Sequence, residues 1–274
     1  MNRERPRIAS LVPSATETLA ALGLAPCLVA RTGFCIHPAA VVAGVPKVGG
    51  TKDVNLAKLR RLAPTHIVVN VDENLRETAD ALREFVPHVI VTHPRRPEDN
   101  LALFEQLRAA FATEPGVDER AAALSAEFTA ALARCRSAAH SSQRVLYLIW
   151  REPWMTVARD TYISALLAEA GWQSWPDVQG GEHGAGRYPV LSGQEPWLAQ
   201  IDRVLLSSEP YRFGPAHIAE AQALCPQARV QQVDGEMLSW WGMRGAAGLD
   251  YLHRLSAPGP GFNPPANRSA RIAP

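Results

Sequence analysis

The strongest constraint on this chain is a pattern that runs, breaks and runs again. Short apolar, β-branched runs alternate with helical stretches, one long helical stretch interrupts them, and the alternation resumes. Residues 7–12 read as a buried strand stopped by Pro13. Ser14 suits an N-cap and Glu17 follows three residues later, so Ser14-Ala15-Thr16-Glu17 predicts a capping box. The helix it opens runs to Leu22 and stops at Gly23. A strand over Cys27–Arg31, a helix over Leu56–Leu62, a strand over His66–Asn70, a helix over Asn74–Phe85 and a strand over His88–Thr92 complete the first run. Strands separated by helices pair in parallel and predict a layered α/β domain.

Between Val117 and His140 the apolar residues Val117, Ala121, Leu124, Phe128, Leu132 and Cys135 recur at steps of three and four. A helix of about 24 residues would span roughly 36 Å, long for a crossover and suited to a strut between lobes. Afterwards Val145–Trp150 reads as a strand and Thr161–Glu169 as a helix ended by Gly171. A helix over Pro196–Ile201, a strand over Val204–Ser207, a helix near Pro215–Leu224, a strand over Val230–Val233 and a helix over Gly242–Leu255 follow. Elements of the first run reappear about 140 residues on, as an internal duplication would leave them. The expected fold is α/β: two Rossmann-like three-layer lobes with parallel central sheets, joined by a single long α-helix. The N-terminal lobe is placed at 1–114, the helix at 115–141, the C-terminal lobe at 142–256 and a loose Pro/Gly/Asn-rich tail at 257–274.

Composition narrows the function. With 28 Lys+Arg against 27 Asp+Glu, the net charge of +1 lacks the basic surplus of a nucleic-acid binder. No apolar run is long enough to span a bilayer, so a membrane-embedded chain is not expected. The polar start, Met1–Arg7, leads directly into the first strand without a signal-peptide pattern, so the chain as written reads as cytoplasmic, or periplasmic if a leader is removed. Cys27, Cys35, Cys135 and Cys225 form no C-x-x-C pair and are expected as free thiols.

No nucleophile elbow, P-loop, H-E-x-x-H or dinucleotide fingerprint is present, so no catalytic residues are assigned and no enzyme is expected. Gly49-Gly50-Thr51-Lys52 opens no helix directly and lacks P-loop spacing. The eight His contain no i, i+4 pair, and no metal ligands are assigned; His66 and His88 read as structural residues at strand starts. His37, in a loop after a strand, is the best contact among them.

The aromatic residues say more. All seven Trp lie between Trp150 and Trp241. Trp150 and Trp154, Tyr211 and Phe213, and Trp240 and Trp241 each follow the C-terminal end of an expected strand, an edge that the loops of a parallel sheet share. With Arg151 and Arg244 beside them, they suit a large, flat, partly apolar ligand with polar edges. Trp172, Trp175 and Trp197 read as core plugs. On this reading the C-terminal lobe supplies an aromatic wall and the N-terminal lobe a more polar one, from Ser14, Phe34, His37 and Asn70.

The opening Arg7-Ile8-Ala9-Ser10-Leu11-Val12-Pro13-Ser14-Ala15-Thr16-Glu17 resembles that of the helical-backbone (class III) substrate-binding proteins of ABC importers for vitamin B12 and iron–siderophore chelates. The resemblance continues through Val48-Gly49-Gly50-Thr51, Asn55-Leu56, Leu62-Ala63-Pro64 and Asp72-Glu73-Asn74, and covers most of residues 7–255. Ile149–Met155 and Val233–Glu236 are similar to the cobalamin-binding branch. In that branch a corrinoid lies between the lobes, clasped by aromatics. Asn70 falls where the branch carries a Trp, and Trp240 and Arg244 fall where it carries an acidic residue and an Arg. The family docks on its permease through one surface Glu per lobe; Glu195 matches one and Glu77 the other, with Glu73 as the fallback.

The resemblance thus implies a non-catalytic binder of a corrinoid or related metal chelate, with no covalent cofactor and an ABC permease as partner. Taken with the loops behind the strand ends, the expected ligand-binding residues are Ser14, Phe34, His37, Asn70, Arg151, Trp154, Tyr211, Phe213, Trp240, Trp241 and Arg244. Two alternatives stand beside it: an iron–siderophore receptor, and a cytosolic interaction or regulatory protein of the same fold without a chelate.

Overall fold

A computed structural model describes residues 4–138 and 140–257; the expected tail from 258 onward lies outside them. By its contacts the chain divides into two compact units. Unit 1 holds the described residues through Ala133 together with Trp240–Ala247, and unit 2 holds Arg134–Ser239 and the described residues from Gly248.

Unit 1 is built from β1 (Ile8–Ser10), α1 (Pro13–Ala21), β2 (Leu28–Arg31), the short α2 (Ala39–Val42), α3 (Leu56–Leu62), β3 (His66–Asn70), α4 (Arg76–Arg83), β4 (His88–Thr92), α5 (Asp99–Ala110) and the start of α6 (Val117–Ser137). Its four parallel strands lie in the order β2-β1-β3-β4. Every residue of β1, and all of β3 after His66, is buried, as in a sheet covered on both faces. Ala9, Leu11, Ala30, Leu59, Ile67, Val69 and Leu82 form one core on this sheet.

The chain enters unit 2 within α6, which is 21 residues long. β5 (Gln143–Leu148), α7 (Tyr162–Ala168), β6 (Trp172–Ser174), β7 (Arg203–Ser207), α8 (Pro215–Leu224), β8 (Arg229–Val233), α9 (Gly235–Ser239) and most of α10 (Gly245–Ser256) follow. These strands are again parallel, in the order β6-β5-β7-β8. The first strand of each run lies between the second and third in both units, which is the arrangement a duplication predicts. Leu146, Leu148, Val204, Leu206 and Leu198 form the second core.

The structure corrects several expectations. The capping box is absent: α1 begins at Pro13, its N-cap is Val12 with no side-chain cap, and Ser14 stands inside the first turn. Pro13 carries a preset helical φ and no N–H, so it takes the first helical position that Ser14 was expected to precede. The helix expected over 196–201 is a 3-10 turn, Pro196–Gln200, and the last helix is split into a 3-10 turn at Gly242–Arg244 and α10. α5, α9 and β6 were not foreseen; Trp172, read as a plug, is the buried first residue of strand β6. The continuous lobe expected over 142–256 is interrupted, because Trp240–Ala247 packs in unit 1. The four Cys are free and buried.

Candidate ligand-binding clusters

In unit 2, β5 and β7 each end in a loop carrying aromatic residues. After β5 the chain bends back on itself: Trp150 pairs with Met155, and Met155 with Val190, as antiparallel bridges. Glu152 takes a φ of 67°, a conformation non-glycine residues rarely adopt and functional loops often hold. After β7, Ser207 Oγ donates to the Glu209 carbonyl at 2.6 Å and turns the chain toward Tyr211.

These loops place Trp154 and Phe213 nearly parallel, with centroids 6.0 Å apart and planes 13° apart. Trp150 meets Tyr211 edge-on at 5.5 Å, and Tyr211 touches Phe213 at 4.8 Å. His217 closes the group, 5.4 Å from both the Tyr211 and Phe213 rings. The Gly214 N–H donates to His217 Nδ1 at 2.8 Å, so the neutral imidazole carries its proton on Nε2. That Nε2–H donates to the Tyr211 oxygen at 3.2 Å. Arg151 lies 4.6 Å over the Trp154 ring and is anchored by Glu220 at 2.6 Å. Phe213 is buried beneath the group while Trp150 remains 40% exposed, giving an aromatic surface edged by the Arg151–Glu220 ion pair.

Unit 1 carries a second cluster. Arg244 donates twice to the Glu17 carboxylate and its guanidinium lies 4.6 Å over the Trp240 ring. Trp240 meets His37 edge-on at 5.8 Å. Phe34, in the same loop as His37, is 62% exposed. The loop is held from below by Arg31, whose guanidinium donates to the carbonyls of Val42, Thr32 and Cys35. Trp240 and Trp241 are both buried. The expected contrast between an aromatic C-terminal wall and a polar N-terminal one is therefore revised: Trp240, Trp241 and Arg244 belong to unit 1.

The remaining expected residues divide by local role. Asn70 is buried and folds its own turn: Oδ1 accepts from the Asp72 and Glu73 N–H groups, and Nδ2 donates to the Thr92 carbonyl. Ser14 is buried with an unpartnered Oγ. Glu77 is exposed in the first turn of α4. Glu195 is engaged in its own turn, accepting from Ser192 N–H, Ser192 Oγ and Gly193 N–H. Burial raises that carboxyl's pKa, but these hydrogen bonds outweigh it and hold the group below its ordinary value.

Sequence reading missed His217, which the Gly214-Pro215 helix start three residues upstream signals, and it left Trp150 out of the binding set. It also missed Glu17 and Glu220 as partners of the two arginines, for which no local signal exists. Among the described residues there is no group of three or more His, Cys, Asp or Glu able to hold a bare metal ion, and no helix is long and apolar enough to cross a membrane.

Two parallel α/β units of equal strand order, with side chains gathered at the C-terminal strand ends, define a two-lobed solute-binding protein of the helical-backbone (class III) fold. A family model described as periplasmic binding protein matches residues 8–220, and the chain belongs to that family. The family is one of binding proteins. Among solved structures the chain is similar to the periplasmic vitamin B12 binding protein of Vibrio cholerae, at 21% identity over 91% of this chain and 95% of that one, with a TM-score of 0.74. It is similar to the periplasmic heme binding protein of the same organism, at 18% identity over 93% and 100%, with a TM-score of 0.76. A periplasmic heme binding protein from Pseudomonas aeruginosa matches at 20% identity over 93% and 94%, with a TM-score of 0.75. No curated protein matches the chain.

Proposed function

We propose that this protein binds a flat macrocyclic metal chelate of the corrinoid class and delivers it without chemical change. The observation that carries this reading is the aromatic group of unit 2, where Trp154, backed by the buried Phe213 ring, Tyr211 and the exposed Trp150 offer apolar surface and the ion-paired Arg151 offers a polar edge. Such a surface suits a broad ligand that is apolar on its faces and polar at its rim. Solved proteins of the same fold that bind vitamin B12 or heme support the ligand class. An ABC permease is the proposed partner; Glu77 is open for docking, whereas Glu195 must give up hydrogen bonds of its turn to take part.

The test is titration of the purified chain with cyanocobalamin, dicyanocobinamide and hemin, followed by Trp fluorescence and calorimetry. Corrinoid binding with a dissociation constant near or below about 1 μM supports the proposal, and absence of heat and quenching at about 100 μM of every ligand rejects it. One observation favours a second ligand, a ferric tetrapyrrole. The Tyr211 oxygen is oriented by the His217 Nε2–H, and a tyrosine oxygen is an established heme-iron ligand. Under that reading hemin binds in preference to corrinoids, and Tyr211→Phe changes the visible spectrum of the complex.

A further inference from the structure

The first turn of α1 holds buried donors without an acceptor among the described residues. Pro13 has no N–H, and the Thr16 N–H reaches the Val12 carbonyl at 3.0 Å. The Ser14 and Ala15 N–H groups make no hydrogen bond among the described residues, and Val12 provides no side-chain cap. Ser14 Oγ has no partner either, and Ser14 is only 3% exposed. Neighbouring side chains do not supply an acceptor. Ser10 Oγ is engaged with Thr16 and the Val12 carbonyl, and the Glu17 carboxylate is engaged with Arg244. Buried donors left unmatched are costly, so they call for an acceptor from outside the chain.

The adjoining strand adds charge of the same sense. Arg31 stands in register with Ser10 and is 6% exposed, and its guanidinium meets only the carbonyls of Val42, Thr32 and Cys35. No carboxylate among the described residues pairs with it. A helix N-terminus and a buried arginine with no carboxylate partner among the described residues thus lie on neighbouring strand ends, an arrangement that favours an anion.

We propose that this end of unit 1 is an oxyanion subsite, receiving a carboxylate or phosphate through Ser14 Oγ and the Ser14 and Ala15 N–H groups. The subsite goes beyond the binding reading and stands on residues of unit 1 alone. Two sources share this chemistry: the phosphodiester of a corrinoid's nucleotide loop and the carboxylates of a heme.

The experiment uses the full chain and inorganic phosphate at constant ionic strength, with calorimetry and thermal unfolding as readouts. Saturable phosphate binding is expected, weakened about tenfold in Ser14→Ala, as loss of a hydrogen bond to a charged group implies. Ser14→Asp is expected to stay folded and to abolish binding by like-charge exclusion. Equal binding by wild type and Ser14→Ala, an adventitious ion only, overturns the proposal, and so does no phosphate binding at all. Cobalamin against cobinamide, and hemin against its dimethyl ester, then distinguish the sources. A Ser14→Ala loss confined to the anionic member of a pair supports the subsite, whereas equal loss for both members overturns it. If no chelate binds, the binding reading fails while the phosphate titration still decides the subsite.

Discussion

Arg244 grips Glu17 through two parallel hydrogen bonds, Nε to Oε2 at 2.8 Å and Nη2 to Oε1 at 2.6 Å, although 227 residues separate them. Their side chains are only 12% and 9% exposed. Removing one partner strands a nearly buried charge, so Glu17→Ala or Arg244→Ala is expected to cost about 3 kcal/mol in urea unfolding. Replacing both, as Glu17→Gln with Arg244→Met, is expected to recover part of that loss, because no bare charge remains. A double mutant as unstable as the sum of the single mutants contradicts this account of the pair.

Gly242 sits in the same segment with φ of 79°. A Cβ there would collide with Thr18 Oγ1, which accepts the Met243 N–H. Gly242→Ala is therefore expected to destabilise by about 2–4 kcal/mol, from the positive φ and the clash together. Adding Thr18→Ala relieves the clash alone, so thermal unfolding of the double mutant should remain below wild type.

His66 stacks on His88 at 4.5 Å, in register on the neighbouring strand. Burial, and then the adjacent His88, hold the His66 pKa below its ordinary value. The unfolded chain therefore takes up this proton first as the pH falls. The stability linked to His66 is complete above about pH 6.5 and declines as the pH drops toward the lower folded value. Urea midpoints measured from neutral to mildly acidic pH should show this slope, and His66→Gln should flatten it.

Trp154 and Arg151 separate ring contact from charge at the unit 2 cluster. Trp154→Ala is expected to weaken chelate binding about tenfold or more by removing the ring stacked on Phe213. Arg151→Lys keeps the charge but loses the planar group over the ring, so a smaller loss is expected. Calorimetry ranks the two variants, and the reverse order would place the ligand's anchorage in the charge.

Much of the fold was legible in the chain because its signals are local. The expected ranges Leu56–Leu62, His66–Asn70, His88–Thr92 and Pro215–Leu224 coincide with α3, β3, β4 and α8. β6 was missed because three residues carry almost no periodicity, and α1 was entered two positions late because Pro13 outranks Ser14 at the helix start. The aromatic loops after β5 and β7 were found from their position behind strands. Their arrangement was not, since ring angles and the His217–Tyr211 bond depend on how two loops pack.

By itself the sequence determined the alternation of parallel strands and helices, the repeat of that plan, and the placing of aromatic residues behind strand ends. These follow from side-chain periodicity and turn chemistry over a few residues. Only the tertiary structure decided that Trp240–Ala247 packs in unit 1, that Arg244 answers Glu17, and that the first turn of α1 has donors with no acceptor among the described residues. Each of these depends on which surfaces distant segments bury together, and short-range periodicity carries no record of that.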